Sequence, residues 1–362
     1  MQYIDKIKKA ILMECLLFSA FAVVYTTGFV KNNLPFTLKQ AVEVEAFAEK
    51  KYIKWVDFNV SYEALCEAYK WDIDTYQASL EDKSVPHLNW ITLLAYVGAR
   101  HGGDFPSGTV SEISRTAQKL QNKEVTIQEL TKDMEYYPYY LEAYSTILDG
   151  FVGNYEIQKA DENGTVSWQK CYGLKAFSPI AKGFEYNDFD DFGTSRSYGY
   201  ARPHLGHDMM GQVGTPVVAV ESGYIEAIGW NQYGGWRIGI RSFDKKRYYY
   251  YAHMRQNFPY CKDLKEGSVV TAGQVIGYMG HTGYSTKENV NNIKVTHLHW
   301  GLQLIFDESQ KEGNNEIWVD CYNLTRFLYK NRSETQKNTA TKEWRRIYEM
   351  RDPAVSEYTS SL

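Results

Sequence analysis

Six of the eight histidines in the chain, His204, His207, His253, His281, His297 and His299, fall between positions 204 and 299. Imidazole nitrogen and carboxylate oxygen are ordinary zinc ligands, and a catalytic zinc site takes three protein ligands plus water. The five cysteines, at 15, 66, 171, 261 and 321, are scattered and contain no C-x-x-C pair. That distribution argues against both a thiolate zinc site and a disulfide framework. A nitrogen and oxygen site would therefore draw on His204 and Asp208 of ARPHLGHDMMG, His253 of RYYYYAHM, and His297 and His299 of VTHLHWGLQLIF. Zinc makes its coordinated water acidic enough to yield hydroxide near neutral pH. Histidines left over from the ligand set could serve as general acid, base or oxyanion stabiliser.

These residues need elements to hold them. In Val295 to Phe306 the side chains alternate between two faces of a strand. His297, His299, Gly301, Gln303 and Ile305 share one face, and Leu298, Trp300, Leu302, Leu304 and Phe306 share the other. The second face is apolar throughout and reads as the core face, which turns both histidines outward, side by side. By the same alternation His253 shares a face with Tyr249 and Tyr251. His207 reads as a hydrogen-bonding residue between two ligands, His281 as a turn residue and Tyr251 as packing.

Further short strands are expected at Thr215 to Val220, Gly223 to Trp230, Trp236 to Phe243, Arg247 to Met254 and Val269 to Tyr278. Asp244-Lys245-Lys246 forms a hairpin turn between two of them. Strands with Gly-rich turns and no intervening helices imply an antiparallel barrel or sandwich. Residues 50 to 155 read differently. Leu65, Ala68 and Tyr69 follow the i, i+3, i+4 spacing of one helix face. Trp90 to Arg100 runs into the stop signal Gly102-Gly103. Thr126 and Glu129 form a capping-box pair at the start of a further helical run. His87 and His101 stand alone there. Residues 156 to 200, including FEYNDFDDFGTSRSYGYARP, lack periodicity and read as loop that could bear function.

The motifs HLGHDMMGQVGTPVVAVESGYI, YYYYAHM, VVTAGQVIGYMGHTGYST and THLHWGLQL, in that order, resemble the lysostaphin-type (LytM-like) zinc endopeptidases of bacterial cell walls. The resemblance covers roughly residues 185–306, about a third of the chain. It implies an antiparallel β-sheet or barrel peptidase domain of the duplicated-hybrid-motif type, which, with the N-terminal helical domain read from periodicity, makes the chain an α+β protein. It also implies that His204, Asp208 and His299 bind Zn2+ and that His253 and His297 are the catalytic histidines, acting on peptidoglycan. Two departures stand out. His281 replaces the Asn common in the family's G-N-T-G turn, and Lys287 to Thr296 is longer than the usual turn before H-x-H. The rival expectation is a non-catalytic envelope scaffold, or a wall-binding protein, that retains the fold.

At the scale of the whole chain, 362 residues allow about two domains. The expected divisions are 1–49, an apolar segment and helix; 50–155, a helical accessory domain; 156–330, the β-rich peptidase; and 331–362, a polar tail. A formal charge of -4 offers no basic field for nucleic acid. Thirty tyrosines are the one compositional excess, read as cross-strand packing, with a carbohydrate-stacking surface as the alternative. The apolar run AILMECLLFSAFAVVYTTGFV between Lys9 and Lys31 carries only Glu14 as a charge and follows Lys6, Lys8 and Lys9. It fits a membrane anchor through residues 10–30, a cleavable signal or a soluble helix. The first two readings put the protein in the cell envelope or outside the cell.

Overall fold

The computed structural model describes residues 52–197 and 201–362. Helix α1 (Tyr62–Glu81) begins where the Ser61 hydroxyl accepts from the Ala64 amide, satisfying one of the donors that a helix start leaves orphaned. Helix α2 (Trp90–Arg100) is capped by the Asn89 side chain and stops at Gly102 and Gly103, both at positive φ. Helix α3 (Thr109–Gln121) leads to α4 (Ile127–Thr131), where Thr126 and Glu129 form the expected capping box. The run it opens is only five residues long. It restarts as α5 (Tyr137–Leu148), whose Pro138 is tolerated because the first turn needs no N–H partner there.

The segment expected to be loop from residue 156 onward begins instead as a hairpin. Strands β1 (Val152–Ala160) and β2 (Val166–Leu174) pair residue for residue, from Val152 opposite Leu174 to Ala160 opposite Val166. Much of β2 is exposed, so no apolar alternation marks it in the sequence. The short strands β3 (Asn187–Asp188), β4 (Ser195–Ser197), β5 (Ala201–Pro203) and β6 (His207–Met210) follow.

Each of the segments read as strands contains at least one strand. These strands are β7 (Pro216–Val218), β8 (Gly223–Asn231), β9 (Gly235–Ser242), β10 (Arg247–Ala252), β11 (Val269–Val270), β12 (Val275–Tyr278) and β13 (His297–Leu304). The stretch 269–278 splits into two strands because Thr271 to Gln274 turns, with the Gln274 amide donating to the Thr271 carbonyl. Eight strands form one antiparallel sheet in the order β11-β8-β9-β10-β13-β6-β3, with β14 (Ile317–Trp318) also pairing with β13. The path has two ends, at β11 and β3, so the sheet is open and the barrel expectation gives way to an antiparallel sheet. Strands β7 and β12 form a separate pair.

Beyond it lie α6 (Tyr322–Leu328), β15 (Thr335–Lys337), β16 (Trp344–Arg346), β17 (Met350–Arg351) and α7 (Pro353–Ser360). Strand β17 adds to β1, and β15 pairs with β16. Residues 53–362 form one compact unit. A single apolar cluster joins Leu65, Trp90 and Tyr144 of the helices to Ile240, Tyr249 and Trp300 of the sheet. No helix among the described residues is long and apolar enough to cross a membrane. The apolar run 10–30 lies outside them.

Candidate active site

Strand β13 behaves as its alternation predicts. Leu298, Trp300, Leu302 and Leu304 are all fully buried, which leaves His297 and His299 on the opposite face at the start of the strand. Register then supplies the carboxylate: His299 is the direct cross-strand partner of Asp208 on β6 and of Ala252 on β10. His204 precedes β6, and the tight Leu205-Gly206 link folds it back over its own strand. Gly206 is required there, because a Cβ at that position would lie 2.5 Å from the His299 ring.

The result is a convergence of three donor atoms. His204 Nε2 lies 3.0 Å from Asp208 Oδ1 and 3.1 Å from His299 Nδ1, and His299 Nδ1 lies 2.9 Å from Asp208 Oδ1. Ligands about 2.1 Å from a tetrahedral zinc stand roughly 3.4 Å apart, so the cluster needs little movement to accept the ion. Chemistry agrees with spacing. His204 Nδ1 donates to the Asp191 carboxylate at 3.1 Å, which leaves Nε2 with the lone pair that a ligand needs. Burial alone would raise the Asp208 carboxyl, but contacts with His204 and His299 and the nearby His297 hold it well below the usual carboxylate range. Burial lowers His299 below its ordinary value. At His204 the pull of burial is outweighed by Asp208 and Asp191, and the net shift is upward. His204, Asp208 and His299 therefore fit a metal of the zinc type.

His253 and His297 face this cluster with a shared tautomer. His297 Nδ1 donates to the Val295 carbonyl at 2.8 Å and His253 Nδ1 donates to the Thr282 carbonyl at 2.9 Å. Carbonyl oxygens only accept, so each ring places a hydrogen on Nδ1, and in its neutral form presents the lone pair of Nε2 to the cleft. The rings lie 4.7 Å apart between centroids, and His297 Nε2 is 3.7 Å from Asp208 Oδ1. Burial, with His297 and His299 close by, holds His253 well below the usual imidazole value, so the ring is neutral at neutral pH.

The face expected for His253 is corrected. Strand β10 ends at Ala252, and His253 takes φ +61, with its amide bonded to the Gly234 carbonyl and its carbonyl accepting from the Gly280 amide. That left-handed residue ends the alternation. Tyr249 and Tyr251 stay fully buried in the core, whereas His253 joins the cleft. Tyr251 accepts from the Val220 amide and is packing, as expected.

The remaining histidines stand apart from the three-atom cluster. His207 contacts Asp188 at 3.0 Å, and His281 Nδ1 donates to the Ile293 carbonyl at 2.8 Å, tying down the long segment before β13. His87 contacts Asp72, and His101 contacts Glu112.

Sequence reasoning missed several lining residues. Tyr250 and the groups Arg196, Arg202, Tyr233 and Tyr284 border the same cleft as the five named residues. Arg196 contacts both Asp191 and Asp208. Tyr250, on the face opposite Tyr249 and Tyr251, lies across from Gly301 and so beside His299. Alternation along β10 would have located Tyr250. Nothing in FEYNDFDDFG singles out Asp191 from its acidic neighbours.

A profile described as Peptidase family M23 matches residues 202–314. The chain is similar to the L-Ala–D-Glu endopeptidase of Bacillus subtilis (strain 168), 37% identical over 130 residues, 36% of this chain and 38% of that protein. It is also similar to the glycyl-glycine endopeptidase ALE-1 of Staphylococcus capitis, 32% identical over 140 residues, 38% of this chain and 33% of that protein. The chain thus spans under two fifths of the length of either relative. Among solved structures, the catalytic domain of lysostaphin from Staphylococcus simulans aligns at 30% identity and a TM-score of 0.31, over 39% of this chain and 92% of that one.

Proposed function

Because residues 202–314 match the profile of peptidase family M23, we propose that this chain is a zinc endopeptidase that hydrolyses peptide bonds of bacterial cell-wall peptidoglycan. The observation that carries the reading is the convergence of His204 Nε2, Asp208 Oδ1 and His299 Nδ1 beside two histidines that are each held through Nδ1 by a backbone carbonyl. In this reading His204, Asp208 and His299 hold the zinc. When bound, zinc supplies Lewis acidity that polarises a scissile carbonyl and makes water acidic.

The rest falls to the chain's own side chains. His297, nearest the ligand carboxylate, accepts a proton at Nε2, and its Nδ1–H bond to Val295 keeps the ring in the orientation that allows this. His253, neutral and held through Nδ1 by Thr282, shares the cleft; once its Nε2 has taken up the proton released from the attacking water, it hands that proton to the amine nitrogen as the C–N bond breaks. Asp191 fixes the His204 ring, and Arg196 fixes the second oxygen of Asp208. Peptidoglycan as substrate places the protein in the cell envelope or outside the cell.

Metal analysis of single variants separates the roles. Replacing His204, Asp208 or His299 by Ala should lower bound zinc to a small fraction of one ion per chain. His297→Ala should retain zinc while release of peptides from purified peptidoglycan falls at least about a hundredfold. Zinc loss in the His297 variant would overturn the division of labour. Peptide release that persists in excess chelator would overturn the metallopeptidase, and no release at all would favour the scaffold or wall-binding alternative.

A further inference from the structure

Strands β4 and β5 form a short hairpin at the cleft in which Arg196 stands directly opposite Arg202. Like charges facing one another across two strands repel, and here the two are compensated very differently. Arg196 contacts the carboxylates of both Asp191 and Asp208. Arg202 has no ion-pair partner among the described residues. Its Nη2 donates to the Tyr284 hydroxyl at 2.7 Å, and its guanidinium carbon lies 5.9 Å from the Tyr233 ring and 5.7 Å from the Tyr284 ring. The Nε of Arg202 is buried and has no hydrogen-bond partner.

A guanidinium is charged at every physiological pH and offers its donors in a planar fork that matches a carboxylate. Drawn partly out of water between neutral aromatic walls, with one donor unmet, it carries a desolvation cost that an anion would offset. The tyrosines hold the fork rather than neutralise it. The Tyr284 carbonyl accepts from the Asn292 side chain, so the long segment before H-x-H fixes this wall of the cleft.

Position connects the cation to the chemistry. Arg202, Tyr233 and Tyr284 line the same cleft as His253, His297 and His299, and the Tyr284 ring lies 6.0 Å from that of His253. The two steps, 5.7 and 6.0 Å, keep the guanidinium within about three residues of extended peptide from His253.

We infer that Arg202 binds a carboxylate of the substrate, so that the peptide cleaved carries a free carboxylate within about three residues of the scissile bond rather than being an uncharged glycine bridge. The inference rests on the peptidase reading, and it specifies the substrate class of that site. The carboxylate could be the side chain of an internal acidic residue or a chain terminus. The chemistry is the same for both.

Binding to the zinc-loaded His297→Ala protein, followed by fluorescence anisotropy, tests it with four labelled peptides. One has a glutamyl residue beside the scissile position and a blocked C-terminus. The second is its glutaminyl counterpart, the third is that glutaminyl peptide with a free C-terminus, and the fourth is end-blocked pentaglycine. At least one of the two carboxylate-bearing peptides should bind about tenfold to a hundredfold more tightly than the blocked glutaminyl peptide, and which one does identifies the source of the carboxylate. Adding Arg202→Met or Arg202→Gln should abolish the preference while zinc content stays at one ion, and Arg202→Lys should keep part of it.

Equal binding of charged and uncharged peptides by the protein with Arg202 in place overturns the inference, as does pentaglycine bound as tightly as the better of the two carboxylate-bearing peptides. A preference that survives loss of Arg202 does so too. Chelator-sensitive peptide release from cell walls by the unaltered protein is measured separately. Its failure would count against the peptidase reading without altering the binding comparison.

Discussion

Three histidines of the site are each aimed by a particular piece of backbone: His297 and His299 by the regular strand β13, and His253 by a left-handed residue just past the end of β10. His297 and His299 on one face of a strand follow from alternation, and alternation held because β13 is regular from His297 to Leu304. The reading of His253 failed where regularity ends, at a left-handed residue that no neighbour in the sequence announces. Asp191 was illegible for another reason: an acid among acids gains its role only when a ring nitrogen is brought to it from elsewhere. That role is testable. Asp191→Asn keeps an accepting oxygen but removes the charge that favours the Nδ1–H tautomer of His204, so zinc affinity should fall about tenfold to a hundredfold in competition with a chromophoric chelator. Unchanged affinity would strip Asp191 of its orienting role.

At the scale of elements, the site is a matter of register. The pairing that sets His299 opposite Asp208 also sets Trp300 opposite His207 and His297 opposite Met210. A one-residue slip would turn Asp208 away from the histidines. Gly206 is what allows β6 to approach β13 so closely with His204 folded above it. In Gly206→Ala the new methyl would meet the His299 ring at 2.5 Å and the Trp300 carbonyl at 3.0 Å, and neither is a flexible chain end. Overpacking of this kind costs about 1–3 kcal/mol. We expect a lower melting temperature together with weakened zinc binding, read by calorimetry on zinc-loaded and chelator-treated samples. A variant with unchanged zinc affinity would show that the strand pair tolerates separation.

Across the whole molecule, helices and sheet are joined by more than apolar contact. Arg247 on β10 is buried and donates from Nε and Nη2 to Glu221 at 2.8 and 3.1 Å, and from Nη1 to the Thr146 carbonyl of α5 at 2.9 Å. Tyr249 donates to the same Glu221 carboxylate at 2.5 Å. Without Glu221 the buried guanidinium would keep only the part-exposed Asp244, 3.1 Å from Nη2, as a charged partner, so Glu221→Ala should lose about 3 kcal/mol in denaturant titration. Helical and near-ultraviolet signals should fall together, because one core serves both parts; separate transitions would refute that coupling. The sequence by itself determined which chemistry was available. A chain poor in clustered thiols but with histidines gathered around H-x-x-x-D, Y-A-H and H-x-H can build only a nitrogen and oxygen site, and residue type and strand period are local properties that travel with the sequence. Tertiary structure alone decided the rest: the left-handed turn that brings His253 out of the core face, Asp191 behind His204, and Arg202 left without a carboxylate among the described residues while Arg196 opposite it takes two. Those are relations between segments far apart or out of period, fixed by how strands pair and loops close. No spacing along the chain encodes them.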